Sequence, residues 1–542
     1  MAAAEKALAA WRRQLGPDRV LTDPATLARY AASTSSWSTH PLAVVRPHST
    51  VEVTQLVRTA TEYRLPIYPI SAGRNWGYGD ACALTDGHAI VDLSEMNRIL
   101  EVDATLAYVV IEPGVTQQQL SQYLLRHDLP LWMDCTGAGP DTSLMGNILE
   151  RGFGHSPYGN RFQNVASMEL VLADGDVVRT GFGHYDSSVN HRVYPYGVGP
   201  YVDGLFTQSN MGIVTSLGLW LMPKTEALNH FLGSVREHDD IAPVIDALRP
   251  LRLDGTLRSI LHIGNDLRVI SGGTTFPREL AGGKMPLPEE LRRQLRAAAG
   301  VGAWTVSGAL YGSNAQVAAA RRAVRRALMH TSARVQFLDE RKLGLADAAA
   351  RLLGSTAAGK RLAARVALGR SLFEMNRGIP NGRFLAGAYW RRRAGLPADF
   401  PANANPALDN CGMLWVSPVL PMRGADLLRV HELAAPIFRA HGFDLFVTFS
   451  MINERALGGV LTVAYDADEP AEVERARLCY RQVFETMMRA GYIPYRVGLQ
   501  SMADLDSGDD GYWRMIGRIK AALDPANVIA PGRYSARWQP RG

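Results

Sequence analysis

A run of small and polar residues at 71–79 has the composition of a ligand-gripping loop. Ser71, Gly73, Arg74, Asn75, Gly77, Tyr78 and Gly79 follow directly on an apolar stretch at 67–70. Glycine tolerates tight turns and lets backbone come close to a ligand. Consecutive N–H groups in such a loop form a concave anion site, and Arg74 adds charge. The pattern recurs downstream. Pro113 and Gly114 follow Glu112, Gly146 and Asn147 open a second stretch, and Gly152, His155, Tyr158 and Gly159 continue it. A further segment holds Gln208, Gly212, Ile213 and Val214. None of these has the GxGxxG spacing that opens a βαβ unit, which argues against a Rossmann nicotinamide site. Backbone-rich loops spread from residue 71 to residue 214 suit a large, extended dinucleotide instead.

The elements that carry these loops are legible as patterns. Short apolar, β-branched runs at 42–46, 67–70, 88–93 and 108–112 read as strands. Ser49 with Glu52 reads as a capping box for a helix running to Tyr63. Leu120, Tyr123 and Leu124 share a face of a helix over 117–127. Asp174 and Gly175 form the turn of a hairpin between 168–173 and 176–180. From about residue 228 helical stretches (241–248, 315–329, 471–490) alternate with strands (414–419, 460–465), which reads as a second α+β unit. Residues 348–407 form the least regular segment, rich in Ala, Arg, Gly and Pro, and read as an insertion or flexible lid. Basic residues cluster there: Lys360, Arg361, Arg365, Arg370, Arg377, Arg383 and Arg391 to Arg393. They read as solvated helix faces, or as a rim that attracts an anionic substrate.

The chain has 542 residues, too many for one ordinary core, so two or more domains are expected. A net charge of +6 is mild for that length, and no basic stripe interleaves with aromatics, which argues against nucleic-acid binding. No apolar run is long enough to span a bilayer. The first 13 residues read as an amphipathic helix and not as a signal segment, so a cytoplasmic protein is expected. Cys82, Cys135, Cys411 and Cys479 lie far apart without metal spacing; neither a disulfide framework nor a metal site is expected.

Taken together, the 73–79 loop, Glu112 to Thr116, Glu150-Arg151-Gly152, Pro157-Tyr158-Gly159 and 208–215 resemble the vanillyl-alcohol oxidase and 4-cresol methylhydroxylase family. So do 199–206, 221–223, 250–253, Asp524 with Asn527, and 530–533. The resemblance implies an α+β, two-domain fold. An FAD-binding domain is built from both chain ends, residues 1–225 and 490–542, and an α+β cap domain covers 226–489. It implies FAD as cofactor, held by Ser71, Gly73, Arg74, Asn75, Gly77, Tyr78, Gly79, Pro113, Gly146, Asn147, Gly152, His155, Tyr158, Gly159, Ile213, Val214 and Arg533. It implies oxidation of a 4-hydroxybenzyl-type substrate, and a homodimer. The catalytic set it implies is Tyr108, Tyr495, Arg496 and Asn160. In that set two tyrosines and an arginine hold the phenolic oxygen. A permanent guanidinium charge and two hydroxyl donors favour an oxyanion and lower a phenol pKa from its usual value near about 10. A phenolate pushes electron density to the para carbon, so the side-chain carbon can lose a hydride and leave a p-quinone methide.

Departures from the family pattern carry expectations of their own. Asn160 stands where family members often have an acid. An amide cannot take up a proton, so water addition to the quinone methide is disfavoured, and repulsion against a carboxylated phenol is removed. Such a substrate would lose CO2 on oxidation. The family's histidine and tyrosine flavin tethers align with Gly458 and Asn405, so FAD is expected to be non-covalent, with His155, and less so Cys411, as a substitute tether. The alternatives are a sugar- or lactone-type oxidase on the same fold, and a non-catalytic flavin-binding protein.

Overall fold

A computed structural model describes residues 2–505 and 510–534. Its first sheet has four strands in the order Val20–Leu21, Ala43–Val45, Ala89–Asp92, Ile67–Ile70. The last three run parallel, and their near-continuous apolar sequence fits strands covered on both faces. The crossover helix Thr50–Glu62 starts where Ser49 accepts a hydrogen bond from the Glu52 N–H at 3.3 Å. The Glu52 carboxylate turns away to the His48 N–H (2.7 Å) and to Arg19 (2.6 Å), so the reciprocal half of the expected capping box is not made. The chain end returns to this sheet: Ile67 donates to Val528 O at 2.8 Å and accepts from the Ala530 N–H at 2.8 Å.

The second sheet is antiparallel, in the order Ile99–Asp103, Tyr108–Ile111, Ile213–Trp220, Val165–Val171, Val177–Arg179. Its final hairpin turns at Gly175, with φ 83°. Between these two sheets and the rest lie the glycine-rich loops.

The third and largest sheet lies in the cap. Its order is Arg334–Leu338, Ala227–Val235, Trp304–Gly312, His262–Asn265, Phe446–Met451, Ala456–Asp466, Cys411–Val416, with Val419–Pro421 also paired to Ala456–Asp466. Strand alternation divides it sharply. Ile263, Val447, Phe449, Leu461, Val463 and Leu414 face one way, into a core shared with the helices Ile241–Leu253, Asn314–Leu328, Gly424–Ala440 and Pro470–Arg489. Facing the other way are His262, Gly264, Thr448, Val460, Thr462 and Trp415, all only half-buried although all but Trp415 sit on interior strands. That inner face borders a cleft against the glycine-rich loops.

The 348–407 segment departs from the expected irregular lid. It begins as a helical hairpin, Glu340–Leu353 and Ala357–Asn376, followed by the 3-10 stretch Arg383–Tyr389. Its Ala, Leu, Arg and Lys content favours helix. Asp339 caps the Lys342 N–H at 2.9 Å, and Thr356 caps Gly359 at 3.0 Å. Lys360, Arg361, Arg365 and Arg370 are exposed, as solvated helix faces should be. Arg391 is not: it is buried and paired with Glu472 at 2.9 Å, and Arg393 reaches Asp466 at 3.0 Å. Among the described residues no helix is long and apolar enough to cross a membrane.

Candidate active site

One end of the cleft gathers hydroxyls and charge. Ser417, just past the strand Cys411–Val416, accepts the Tyr495 N–H on its carbonyl at 3.1 Å, and its hydroxyl lies 2.5 Å from the Tyr78 hydroxyl. The Arg496 guanidinium stacks over the Tyr78 ring at 4.3 Å. It donates to Asn75 Oδ1 at 2.5 Å and pairs with Glu150 at 3.0 Å. Glu150 also pairs with Arg533 and accepts from the Tyr534 hydroxyl at 2.9 Å. Two guanidinium charges against one buried carboxylate leave one positive charge in the cluster. Burial, then Tyr78, push the Tyr495 phenol well above its usual pKa, with Arg496 opposing. Burial pushes Tyr78 up as well, again opposed by Arg496. Both therefore stay protonated as donors. An anionic oxygen fits here; a cation does not.

The glycine loop is held against its neighbours by contacts that leave no room for a side chain. Gly77 has φ +75°, and a β-carbon there would lie 2.8 Å from the Trp415 ring. At Gly79, with φ +120°, a β-carbon would meet Leu499 at 2.5 Å. Arg74 pairs with Asp141 at 3.2 Å, Trp76 donates to Ala138 O at 3.0 Å, and Ser71 packs beside Gly146. Ser143 caps Gly146 at 2.9 Å and donates to Pro113 O at 2.6 Å.

The 152–160 loop is fixed by a buried ion pair. Arg161 binds Asp134 at 2.8 Å, Asn147 Oδ1 at 3.0 Å and Gln117 Oε1 at 3.0 Å. Asp134 in turn accepts the His155 and Ser156 N–H groups at 3.0 and 2.8 Å. Phe153 from this loop packs on Tyr495, with ring centres 5.7 Å apart, and bridges to Asn160 through the backbone. Asn160 thus lies across a backbone bridge from the residue that touches Tyr495. The His155 ring lies 4.1 Å from that of His262, and burial lowers its pKa to about 3. The Gly152 N–H donates to Asn147 O, Gly159 closes the turn onto Ser156 O, and Tyr158 packs on the Met222 cluster. The side chains of Ile213 and Val214 are committed to the hydrophobic core.

Tyr108 does not join Tyr495 and Arg496. Val109 and Ile111 face the core shared with the helix Gln117–Arg126, so alternation turns Tyr108 the other way. Its hydroxyl donates to Glu101 at 2.5 Å, and burial, then that carboxylate, raise its pKa to about 12. Tyr78 supplies the second hydroxyl instead. The available signal was its place between Gly77 and Gly79, read only as a cofactor loop. Glu150, Ser417, Phe153 and His262 also escaped the sequence reading of the site; each is contributed by packing between distant segments.

A surface cavity of about 540 Å³, lined by Trp37, Leu414, Arg477 and Tyr480, lies behind the cap sheet. It holds none of these groups, and the chemistry favours the inner cleft.

Residues 41–181 match the FAD binding domain family. The chain is 38% identical to 1'-carboxy-chondrochloren decarboxylase of Chondromyces crocatus, over 99% of this chain and 98% of that one. It is 30% identical to the flavoprotein subunit of 4-cresol dehydrogenase (hydroxylating) of Pseudomonas putida, over 97% and 95%. The chain belongs to the vanillyl-alcohol oxidase and 4-cresol methylhydroxylase family. The structure of p-cresol methylhydroxylase with substrate bound superposes with a TM-score of 0.86 at 30% identity, covering 99% of this chain and 97% of that one. The protein is an FAD-dependent oxidoreductase of the 4-cresol dehydrogenase type, which sets aside the non-catalytic alternative. The cleft fits the family's cofactor. Its wall is an open strip of half-buried strand residues, its rim is a glycine cradle, and Trp415 Nε1 is a buried donor with no partner among the described residues.

Proposed function

We propose that the protein oxidises a para-substituted phenol to a p-quinone methide and that the natural substrate loses a carboxylate in the process. The observation that carries this reading is the single uncompensated positive charge beside two protonated tyrosines. Arg496, Tyr495 and Tyr78 bind the phenolic oxygen as its anion and so place negative charge in the ring. FAD, when bound, supplies the hydride acceptor. With the side-chain hydride and its electron pair gone, the ring and its para carbon form a quinone methide. The C–carboxylate bond then breaks; its electron pair forms the side-chain double bond and restores the phenolate as CO2 leaves. The product is a vinyl phenol, or an enamide where that carbon bears an amide nitrogen, as in the tailoring of a natural product.

Two features favour decarboxylation over hydroxylation. Asn160 is an amide that cannot deprotonate water, and the decarboxylase relative is the more similar of the two named relatives. No histidine stands at Gly458 on the cleft wall, and the flavin is held without a covalent bond. The deciding experiment is anaerobic mixing with a 4-alkylphenol and with its O-methyl ether. The phenol should bleach the flavin absorbance and the ether should not; equal bleaching by the ether removes the phenolate from the mechanism. A 4-hydroxyphenyl acid should release one CO2 per flavin reduced, and recovery of the intact or hydroxylated acid removes the decarboxylation step.

A further inference from the structure

The inner face of the cap sheet carries a cation without a counterion. Arg268 lies in the short helix Asp266–Ile270, directly after the strand His262–Asn265. Its stem runs over Gly264: a β-carbon there would lie 3.6 Å from Arg268 Cγ. Its guanidinium reaches Gly387, where a β-carbon would lie 2.5 Å from a terminal nitrogen. Glycine at 387 makes room for the guanidinium, and the stem passes Gly264 in ordinary contact. Among the described residues the guanidinium has no ion pair or hydrogen bond. The nearby carboxylates are committed elsewhere. Asp266 grips Arg292 at 2.6 and 2.9 Å, Asp466 binds Arg393 at 3.0 Å, and Glu472 binds Arg391 at 2.9 Å. The neighbouring His262 has both ring nitrogens engaged, by Ser450 at 2.8 Å and by Gly154 O at 3.2 Å. The side chain is half-buried, and a guanidinium that has lost part of its hydration gains from an anionic partner.

The sheet register sets how far apart the strands that support the two groups lie. Gly264 pairs with Thr448, Thr448 with Val460, and Ser417 follows Val416, whose partner Leu461 adjoins Val460. Ser417, which touches Tyr78, and Gly264, beneath Arg268, therefore occupy one row across four strands. Three strand spacings make that row about 14 Å long. A 4-hydroxyphenyl group bearing a carboxylate on its second side-chain carbon measures about 8–9 Å from phenolic oxygen to carboxylate. With a hydrogen bond of about 2.8 Å at each end, the reach of such a molecule is of the same order as that backbone row.

We infer that Arg268 is the receptor for the substrate's side-chain carboxylate and that the substrate class is a 4-hydroxyphenyl acid of 3-arylpropionate length. The inference rests on the phenol-binding reading for its other end. Attachment at both ends fixes the side chain between them, which orients the bonds that break.

Binding to the dithionite-reduced, FAD-loaded protein, where no turnover occurs, tests the inference by calorimetry with three probes: 4-propylphenol, 3-phenylpropionate and 3-(4-hydroxyphenyl)propionate. Arg268→Gln should weaken both acids by about tenfold to hundredfold and leave 4-propylphenol unchanged, with Arg268→Lys recovering part of the loss. Acids indifferent to Arg268→Gln overturn the assignment, and so does an equal loss for all three probes. If 4-propylphenol fails to bind while 3-phenylpropionate binds through Arg268, the carboxylate receptor stands and the phenol reading falls.

Discussion

At the scale of single residues, the site works by charge arithmetic. Glu150 neutralises one of two guanidiniums and ties Arg496 to the chain's far end through Arg533 and Tyr534. The residual charge acts on whatever oxygen faces Tyr78 and Tyr495. Tyr108, a residue of the same type in a strand, has its hydroxyl committed to Glu101 and contributes nothing there. The two tyrosines should therefore separate cleanly on mutation. Tyr78→Phe should lower kcat/KM for a 4-alkylphenol by about tenfold to hundredfold, the cost of a hydrogen bond to a charged group. Tyr108→Phe should leave it within about twofold. Rapid-reaction flavin reduction reads both, and a slow Tyr108→Phe with a normal Tyr78→Phe would restore the original assignment.

At the scale of elements, the cleft exists because the 71–79 loop presses on a cap strand. Gly77 is required twice, for its left-handed backbone and for the absence of a β-carbon against Trp415. Gly87 has a similar φ of +82° with open space around it. Gly87→Ala should cost only the backbone strain, about 1–2 kcal/mol. Gly77→Ala should add about 1–3 kcal/mol of overpacking and lower the flavin content as purified. Thermal melts and absorbance ratios of the two variants provide the comparison; equal behaviour would mean that Trp415 yields and the loop contact is slack. The Glu340–Leu353 and Ala357–Asn376 hairpin shows the complementary case. There, helix propensity and two side-chain caps were present in the sequence, but the scattered Gly and Pro after residue 377 coloured the reading of the whole segment.

At the scale of the molecule, burial of uncharged histidines ties stability to pH. Burial lowers His155, His230 and His431 to about 3, and it holds His262 well below its usual range. In the unfolded chain each titrates near 6.5. Unfolding thus takes up protons once pH falls below about 6.5, and the stability present above that value is lost progressively toward pH 3. Each histidine contributes at most about 1.4 kcal/mol per pH unit. Asp80, raised to about 7 by burial, has the opposite sign: its contribution is full below its unfolded value of 3.8 and is lost as pH rises through 7. Asp203, raised to about 6, and Asp444, also raised by burial, act as Asp80 does; the four histidines outnumber the three, so the urea midpoint should fall from pH 7 to pH 5. His431→Gln, remote from the cleft, should flatten that slope by about one proton. The flavin should leave with unfolding: acid-denatured protein should release it to the supernatant, and a fluorescent protein band in a denaturing gel would show a covalent bond instead.

The sequence by itself determined the α+β character, the positions of most strands and helices, and the family with its cofactor. Periodicity and glycine-rich punctuation are local properties, and the family signature lies in contiguous motifs such as Gly77-Tyr78-Gly79. Tyr495 and Arg496 were candidates through the same resemblance. Only the tertiary structure decided which tyrosine meets them, because the facing of Tyr108 depends on which side of its strand the core occupies. It alone also left Arg268 unpaired over Gly264, since pairing is settled by how strands far apart in the chain fall into register.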